Sequence, residues 1–226
     1  MIGIIIAMEE EFFDLKKYII INDKKIIHNQ QFLFFSSNNK DFVLTITKIG
    51  KTNAAMSTTL LVNEFHPEYI FNFGSAGSVS KNVNILDLIL IEKSFHYDVD
   101  ATTFNYKLGQ LPGESLYFNS TKKLNYKIET ALNDLGLKIK KGIACSGDNF
   151  ITTKNIENFN LIIKNNALIV DMEIASIMQV CEHLSVPLIS IKCVTDSIFS
   201  TTSILDFEVT ITRACELFLK LFKILG

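Results

Sequence analysis

The chain has 226 residues, 48% of them hydrophobic and 20% charged, with a formal net charge of −2. That composition describes one well-cored globular domain, long enough to bury roughly 70–75% of the surface its unfolded chain exposes. The near-neutral charge, with lysines spread along the chain, leaves no electrostatic footprint for nucleic acid or an anionic membrane. The four cysteines, Cys145, Cys181, Cys193 and Cys215, form no CxxC pair and have no histidine at zinc spacing, so they read as reduced core or strand residues. Residues 2–8 are apolar, but the run is too short for a signal segment, has no basic flank and leads straight into Glu9-Glu10-Glu11. No run approaches membrane-spanning length. A cytoplasmic protein is expected.

Residues 2–7 (IGIIIA) form a short continuous apolar run, the pattern of a buried strand. Residues 9–18 follow with Phe12, Phe13, Leu15 and Tyr18 near helical spacing. Residues 24–27, 31–36 and 41–47 are short, β-rich and separated by polar turns, which suggests a meander. Residues 52–65 carry Ala54, Ala55, Met56, Leu60, Leu61 and Phe65, a helix closed by Pro67. Residues 69–73 read as a second buried strand, with Gly74-Ser75-Ala76-Gly77 as its turn. A strand is expected over 86–95, then a long irregular stretch, 96–115, of the kind that serves function or an interface.

Residues 121–135 have helical spacing, and 138–144 form a strand ending at Cys145-Ser146-Gly147-Asp148-Asn149-Phe150. In 168–175 (LIVDMEIA) an apolar strand hands over to a helix running to 184, with Asp171 and Glu173 at the junction. A strand at 187–194 leads into a loop, 195–202. A last helix, about 205–225, keeps Val209, Cys215, Leu217, Phe218, Leu221, Phe222 and Leu225 largely to one side. Strands alternating with helices, and a meander inserted early, imply a single three-layer α/β domain with a central mixed, largely parallel sheet flanked by helices.

Four of these strands end in something polar or small: Met8-Glu9-Glu10-Glu11, Gly74-Ser75-Ala76-Gly77, Asp171-Met172-Glu173 and Thr195-Asp196. Bare carboxylates are costly to hide in a sheet core. In open α/β sheets the carboxyl ends of strands are where ligands bind. Singly, each signal has a plainer explanation. A glutamate triplet opening a helix suits the helix dipole, GSAG suits close backbone packing, and an aspartate caps whatever follows it. Their coincidence at four strand ends is what points to a site.

The segments IGIIIAMEEE, KIGKTNAA (48–55), FNFGSAG (71–77), GQLPG (109–113), SGDNFI (146–151), VDMEIA and VTDS (194–197) occur in one order over nearly the whole chain. Together they resemble the 5′-methylthioadenosine/S-adenosylhomocysteine nucleosidases, within the wider nucleoside phosphorylase superfamily. The resemblance implies a nucleoside phosphorylase-like fold and an adenine-specific N-ribosyl hydrolase that acts on 5′-methylthioadenosine and S-adenosylhomocysteine. It also implies no metal or organic cofactor, and a homodimer. Residue by residue, Glu11 matches the carboxylate that activates water, Asp196 the acid that donates toward adenine N7, and Glu173, with Met172 beside it, the residue that holds the ribose hydroxyls. Phe150 matches the ring that stacks on adenine, and the Ile151 backbone reads its edge. Ser75 and Gly77 match the turn lining the ribose and water site. Met8, with Phe104 and Pro112 from the partner subunit, resembles the lining of an apolar 5′-substituent pocket, to which Phe207 also corresponds.

The chemistry asks for these residue types in its own right. Departure of a purine leaves oxocarbenium character on the ribose, so one group protonates the base while another presents water to the opposite face. An aspartic acid that is protonated near neutral pH needs a raised pKa, which burial supplies. Two positions depart from the family pattern: Asp171 stands where a Glu is usual, and Lys192 where an Arg is usual. Lysine keeps the charge but loses the planar fork. The single arginine, Arg213, is far in sequence from every motif, which disfavours the alternative of a phosphate-dependent nucleoside or methylthioadenosine phosphorylase. A non-catalytic binding or adhesion module on the same fold would be betrayed by a missing carboxylate or stacking ring, and neither is missing. His28, His66, His96 and His183 sit on no motif, and only His96, leading the long loop, calls for a closer look.

Overall fold

The computed structural model describes residues 1–13, 15–199, 210–214 and 216–217. Its first strand, β1 (Ile2–Ile6), is buried along its whole length. A helix, α1 (Glu9–Phe13), and a 3-10 turn, Leu15–Lys17, follow. The meander is β2 (Asp23–Ile27), β3 (Gln30–Ser37) and β4 (Lys40–Ile46), paired antiparallel with β3 in the middle. The outer strand β2 is almost fully exposed and carries Lys24 and Lys25, a charged edge that discourages further strand pairing. Next come α2 (Lys51–Phe65), β5 (Ile70–Ser78), β6 (Leu88–His96) and a two-residue β7 (Phe118–Asn119). The chain continues with α3 (Lys122–Asp134), β8 (Ile139–Ser146), α4 (Asn160–Lys164), β9 (Ile169–Asp171), α5 (Ile174–His183) and β10 (Leu188–Ser197). Residues 210–214 are helical, while most of the last helix, with Phe207 and Cys215, lies outside the described residues.

Among the described residues the strands form one mixed sheet in the order β10-β6-β8-β9-β5-β1-β4-β3-β2, with β10 also paired to β5 and β7 to β6. The long pairings at its centre, β1 with β4 and β5, and β10 with β5, are parallel. Side chains alternate across this sheet with period two. Ile2, Ile4 and Ile6, with Phe71, Phe73, Ile189 and Ile191, face a core closed by α1 and α3. Ile5, Ile70, Ile89, Ile91 and Val194 face the opposite core, closed by α2 and α5. Both faces are covered, so the central strands read as continuous apolar runs. Within that core Asn72 donates from Nδ2 to the Ile5 carbonyl (3.0 Å) and accepts from Ser190 Oγ (2.7 Å), a buried polar link across the β1, β5 and β10 strands.

Two expectations fail in an instructive way. GSAG is not a turn: β5 runs through it to Ser78, and β10 likewise runs through Thr195 and Asp196. The pair stays in register as Ala76 with Val194 and then Gly77 with Asp196, so Thr195 is the extra residue of a bulge. Consecutive residues of β5 point to opposite faces, and the bulge therefore turns Asp196 to the face opposite Val194. The segment 156–164, for which the sequence gives no clear pattern, holds a 3-10 turn and the short α4. Phe71, fully buried on the central strand, lies 5.6 Å from the Phe73 ring. Phe71→Ala is expected to lower unfolding stability by about 3–5 kcal/mol, read as a shifted urea midpoint with an unchanged slope.

Candidate active site

The parallel strands β1, β4, β5 and β10 bring their carboxyl ends to one rim, where a cleft of about 260 Å³ opens. Its walls include Met8, Glu11, Ser75, Gly77, Phe150, Ile151, Met172, Glu173 and Asp196. Nine of the eleven described residues that the sequence nominates thus meet in one place, the twelfth, Phe207, lying outside the described residues. The other two, Phe104 and Pro112, are exposed on the long loop and do not line it.

The glutamate triplet is split by burial. Glu9 and Glu10 are exposed, whereas Glu11 is 2% exposed. One oxygen of Glu11 accepts the backbone N–H groups of Ala7 (2.9 Å) and Met8 (3.1 Å), and the other accepts the N–H (2.7 Å) and hydroxyl (3.0 Å) of Ser75. The carboxylate thereby joins the end of β1 to the middle of β5. A Cβ on Gly74 would stand 2.8 Å from Glu11 Oε1, so the missing side chain there makes the carboxylate's space. Gly77 does the same for Asp196, whose Oδ2 lies 2.8 Å from where a Cβ would be. This is the structural reason for two glycines inside a strand that they would otherwise weaken.

Glu173 stands at the N-cap position of α5 without capping it by its own side chain. Its carboxylate reaches across to accept the Gly50 N–H at 2.9 Å, at the start of α2. The next donor of that helix end, Lys51 N–H, goes to Asp148 at 3.0 Å, so both orphan amides end on carboxylates. Capping of α5 falls to Asp171, which accepts the N–H groups of Glu173 and Ile174 at 3.2 Å and the Ser146 hydroxyl at 2.6 Å. Asp171 also pairs with Lys192 Nζ at 2.8 Å, and both side chains are almost wholly buried. Asp171 is thus saturated by the protein itself and supports the helix start, while Glu173 is the carboxylate offered to the cleft.

Three ionisable groups are perturbed here. Burial and the neighbouring charge of Asp171 push Glu173 up to about 7, against the opposing pull of Lys192 and the Gly50 N–H. Burial raises Asp196, and the Thr195 hydroxyl, donating at 3.2 Å, holds the rise back. Burial alone lowers the pKa of Lys192, but the charges of Asp171, Glu173 and Glu11 outweigh it and leave the ammonium harder to deprotonate than usual.

The loop 146–151 carries Phe150, 65% exposed at the cleft mouth, and the buried Ile151. Sequence reasoning missed what fixes it. Tyr97 donates its hydroxyl to the Asn149 carbonyl, and its ring fills the space a Cβ on Gly147 would need. Asp98 accepts the Asp148 N–H (2.9 Å) and pairs with Lys51 Nζ at 2.7 Å. The usable signal was the polar start of the long loop, Tyr97-Asp98, next to the KIGK segment. His96 does not line the cleft; it is buried against Phe118 and bonded to Gln179 (3.1 Å), and burial lowers its pKa. Among the described residues no cluster of three or more His, Cys, Asp or Glu side chains could hold a metal, and no helix is long and apolar enough to cross a membrane.

Lys192→Met is expected to cost about 3–5 kcal/mol near neutral pH, because it strands buried carboxylates without their cation. The loss should shrink as the pH falls and Glu173, already pushed up to about 7, takes up its proton, a trend read by denaturation at several pH values.

The match to known proteins covers the same ground. The family model described as the phosphorylase superfamily matches residues 1–225. A 5′-methylthioadenosine/S-adenosylhomocysteine nucleosidase of Staphylococcus haemolyticus is 40% identical over 200 residues, 87% of this chain and 86% of that protein. A mutant Helicobacter pylori MTAN with 5′-methylthioadenosine in the active site superposes with a TM-score of 0.89 at 25% identity, covering 98% of this chain and 96% of the other. A mutant futalosine hydrolase of Helicobacter pylori superposes with a TM-score of 0.91 at 25% identity, covering 99% and 96%. This chain belongs to the 5′-methylthioadenosine/S-adenosylhomocysteine nucleosidase family, within the phosphorylase superfamily.

Proposed function

We propose that the chain hydrolyses the N-glycosidic bond of 5′-methylthioadenosine and S-adenosylhomocysteine, and of 5′-deoxyadenosine, releasing adenine and the corresponding ribose. The observation that carries this reading is one cleft lined by four carboxylates, of which Asp171 is taken up by Lys192 and the start of α5, while Glu11, Glu173 and Asp196 stand in three different environments. Asp196, with a pKa raised by burial, gives its proton to adenine N7 as the C–N bond breaks. Glu11, held by four donors, takes a proton from the water that attacks the anomeric carbon, so the base leaves neutral and one water is consumed. Glu173 accepts hydrogen bonds from the ribose hydroxyls and fixes the sugar for attack. Phe150 stacks on the base, Ile151 presents backbone to its edge, and Met8 and Ile49 offer apolar surface to the 5′ group.

Water, and not phosphate, suits this cleft as nucleophile. Glu11 and Glu173 would repel a phosphate, and the buried cation Lys192 is committed to Asp171. Arg213 sits exposed on the helical turn 210–214 and does not line the cleft. Phe104, 73% exposed, and Pro112 are assigned to the 5′ pocket of a second copy in a homodimer.

Adenine release from several 5′-substituted adenosines, with and without phosphate, is the direct assay. Full rate without phosphate supports hydrolysis; an absolute need for phosphate would make the protein a phosphorylase. Asp196→Asn and Glu11→Gln should each lower kcat by at least about 100-fold while substrate still binds. A near wild-type rate in either removes the role given to that residue. Glu173 must be ionised to accept two hydroxyl donors, so KM should fall as the pH rises through about 7 and then level off. Glu173→Gln should raise KM and flatten that profile; an unchanged profile would assign the titration to another group.

A further inference from the structure

The start of α2 carries a cation where a helix dipole disfavours one. Lys51 is the first helical residue, and the first turn holds no acid of its own. Its anionic partners come instead from two distant segments. Lys51 Nζ meets both oxygens of Asp98, at 2.7 and 2.9 Å, and Asp98 in turn accepts the Asp148 N–H at 2.9 Å. Asp148 closes the ring by accepting the Lys51 N–H at 3.0 Å. The Lys51 and Asp98 side chains are 21% and 13% exposed, so salt screens this pair less than an open surface bridge. Beside the ring, the Tyr97 hydroxyl donates to the Asn149 carbonyl and accepts the Asn149 N–H at 3.3 Å. Residues 97–98 therefore hold 148–149, and the start of α2 holds both.

We propose that Lys51 and Asp98 are positioning residues for the purine, setting Phe150 against the base at a fixed separation from Glu173. The proposal rests on the hydrolase reading above, in which Phe150 stacks on adenine, and deepens it. Lys51, Asp98 and Asp148 do not line the cleft, so any effect they have on a ligand passes through the loop they hold. Phe150 follows Asp148 by two residues, each step spanning about 3.8 Å between Cα atoms, so an anchored Asp148 confines where the ring can stand. With 65% of Phe150 exposed, packing around the ring does little to hold it. The same turn reaches the sugar side. Gly50 donates its N–H to Glu173 at 2.9 Å, one residue before the Lys51 N–H goes to Asp148. Gly50 stands at φ 105°, a backbone conformation that favours glycine. One short turn thus spans the base loop and the ribose clamp. Asp98 and Asp148 each place a carboxylate oxygen within 3.9 Å of the Lys51 ammonium. Removing that ammonium leaves like charges side by side, and their repulsion drives residue 148 away from residue 98.

The test is a double-mutant cycle, read by calorimetric binding of adenine and by steady-state kinetics on 5′-methylthioadenosine. Lys51→Met should weaken adenine binding about tenfold, within the range for losing one base–aromatic stack. Asp98→Asn keeps an acceptor for the Asp148 N–H and should weaken it about threefold, the size of a partly solvated ion pair. In a Phe150→Ala background both losses should nearly vanish, because the two residues act through that ring. KM should rise while kcat holds, since Glu11 and Asp196 keep their own partners. Adenine affinity unchanged in both variants, or losses of the same size with and without the Phe150 ring, overturn the proposal. So does a fall in kcat with KM kept. If Lys51→Met does not fold, the isosteric Asp98→Asn decides alone. A wild type that binds adenine but cleaves nothing sinks the hydrolase reading, and the affinities still decide the positioning role. A wild type that binds no adenine sinks both.

Discussion

The pairing of Lys192 with Asp171 is the interaction on which the rest of the site depends. Both side chains are withdrawn from water, where an unpaired ion costs several kcal/mol. Their attraction is joined by the Ser146 hydroxyl and by two amides at the start of α5, so every face of Asp171 is engaged. Those same amides set where α5 begins, and therefore where Glu173 stands. Remove the cation and Asp171 is left buried without a counter-charge beside Glu173. The shortened Asp171 and the unforked Lys192 suit each other: the pair meets at one oxygen, as a point charge would.

Around that pair the protein gives three carboxylates three environments. Glu11 accepts four donors, two backbone amides at the end of β1 and the amide and hydroxyl of Ser75. Asp196 is raised by burial and accepts a single hydroxyl donor, from Thr195. Glu173 lies between these extremes, with a single backbone donor and a like charge beside it. Environments that push similar groups apart are how one site runs acid and base chemistry together.

The neighbours named for methylthioadenosine and for futalosine superpose on this chain equally well. The shared fold therefore fixes the ribose and base end of the cleft, and substrate choice falls to whatever lies beyond the 5′ carbon.

Much of this was legible in the order of residues. Continuous apolar runs marked β1 and β6, helical spacing marked α2 and α3, and turn residues marked the meander, because these signals are local. The carboxylates were legible too, since a sheet core tolerates them only at its rim. Local signals failed where neighbours decide. Glycines in Gly74–Gly77 suggested a turn, yet β10 and β9 extend the ladder past them, and their lack of side chains makes room for Glu11 and Asp196. A bulge at Thr195, invisible as sequence, aims Asp196 into the cleft. Three glutamates in a row look alike until packing buries one. The sequence by itself determined the layers, the family and the list of acids, because hydrophobic period and residue chemistry are written along the chain. Only the tertiary structure decided which acid caps a helix, which lines the cleft and which is pushed up by burial, because those depend on burial and on partners brought from far along the chain, as Gly50 is to Glu173, 123 residues away.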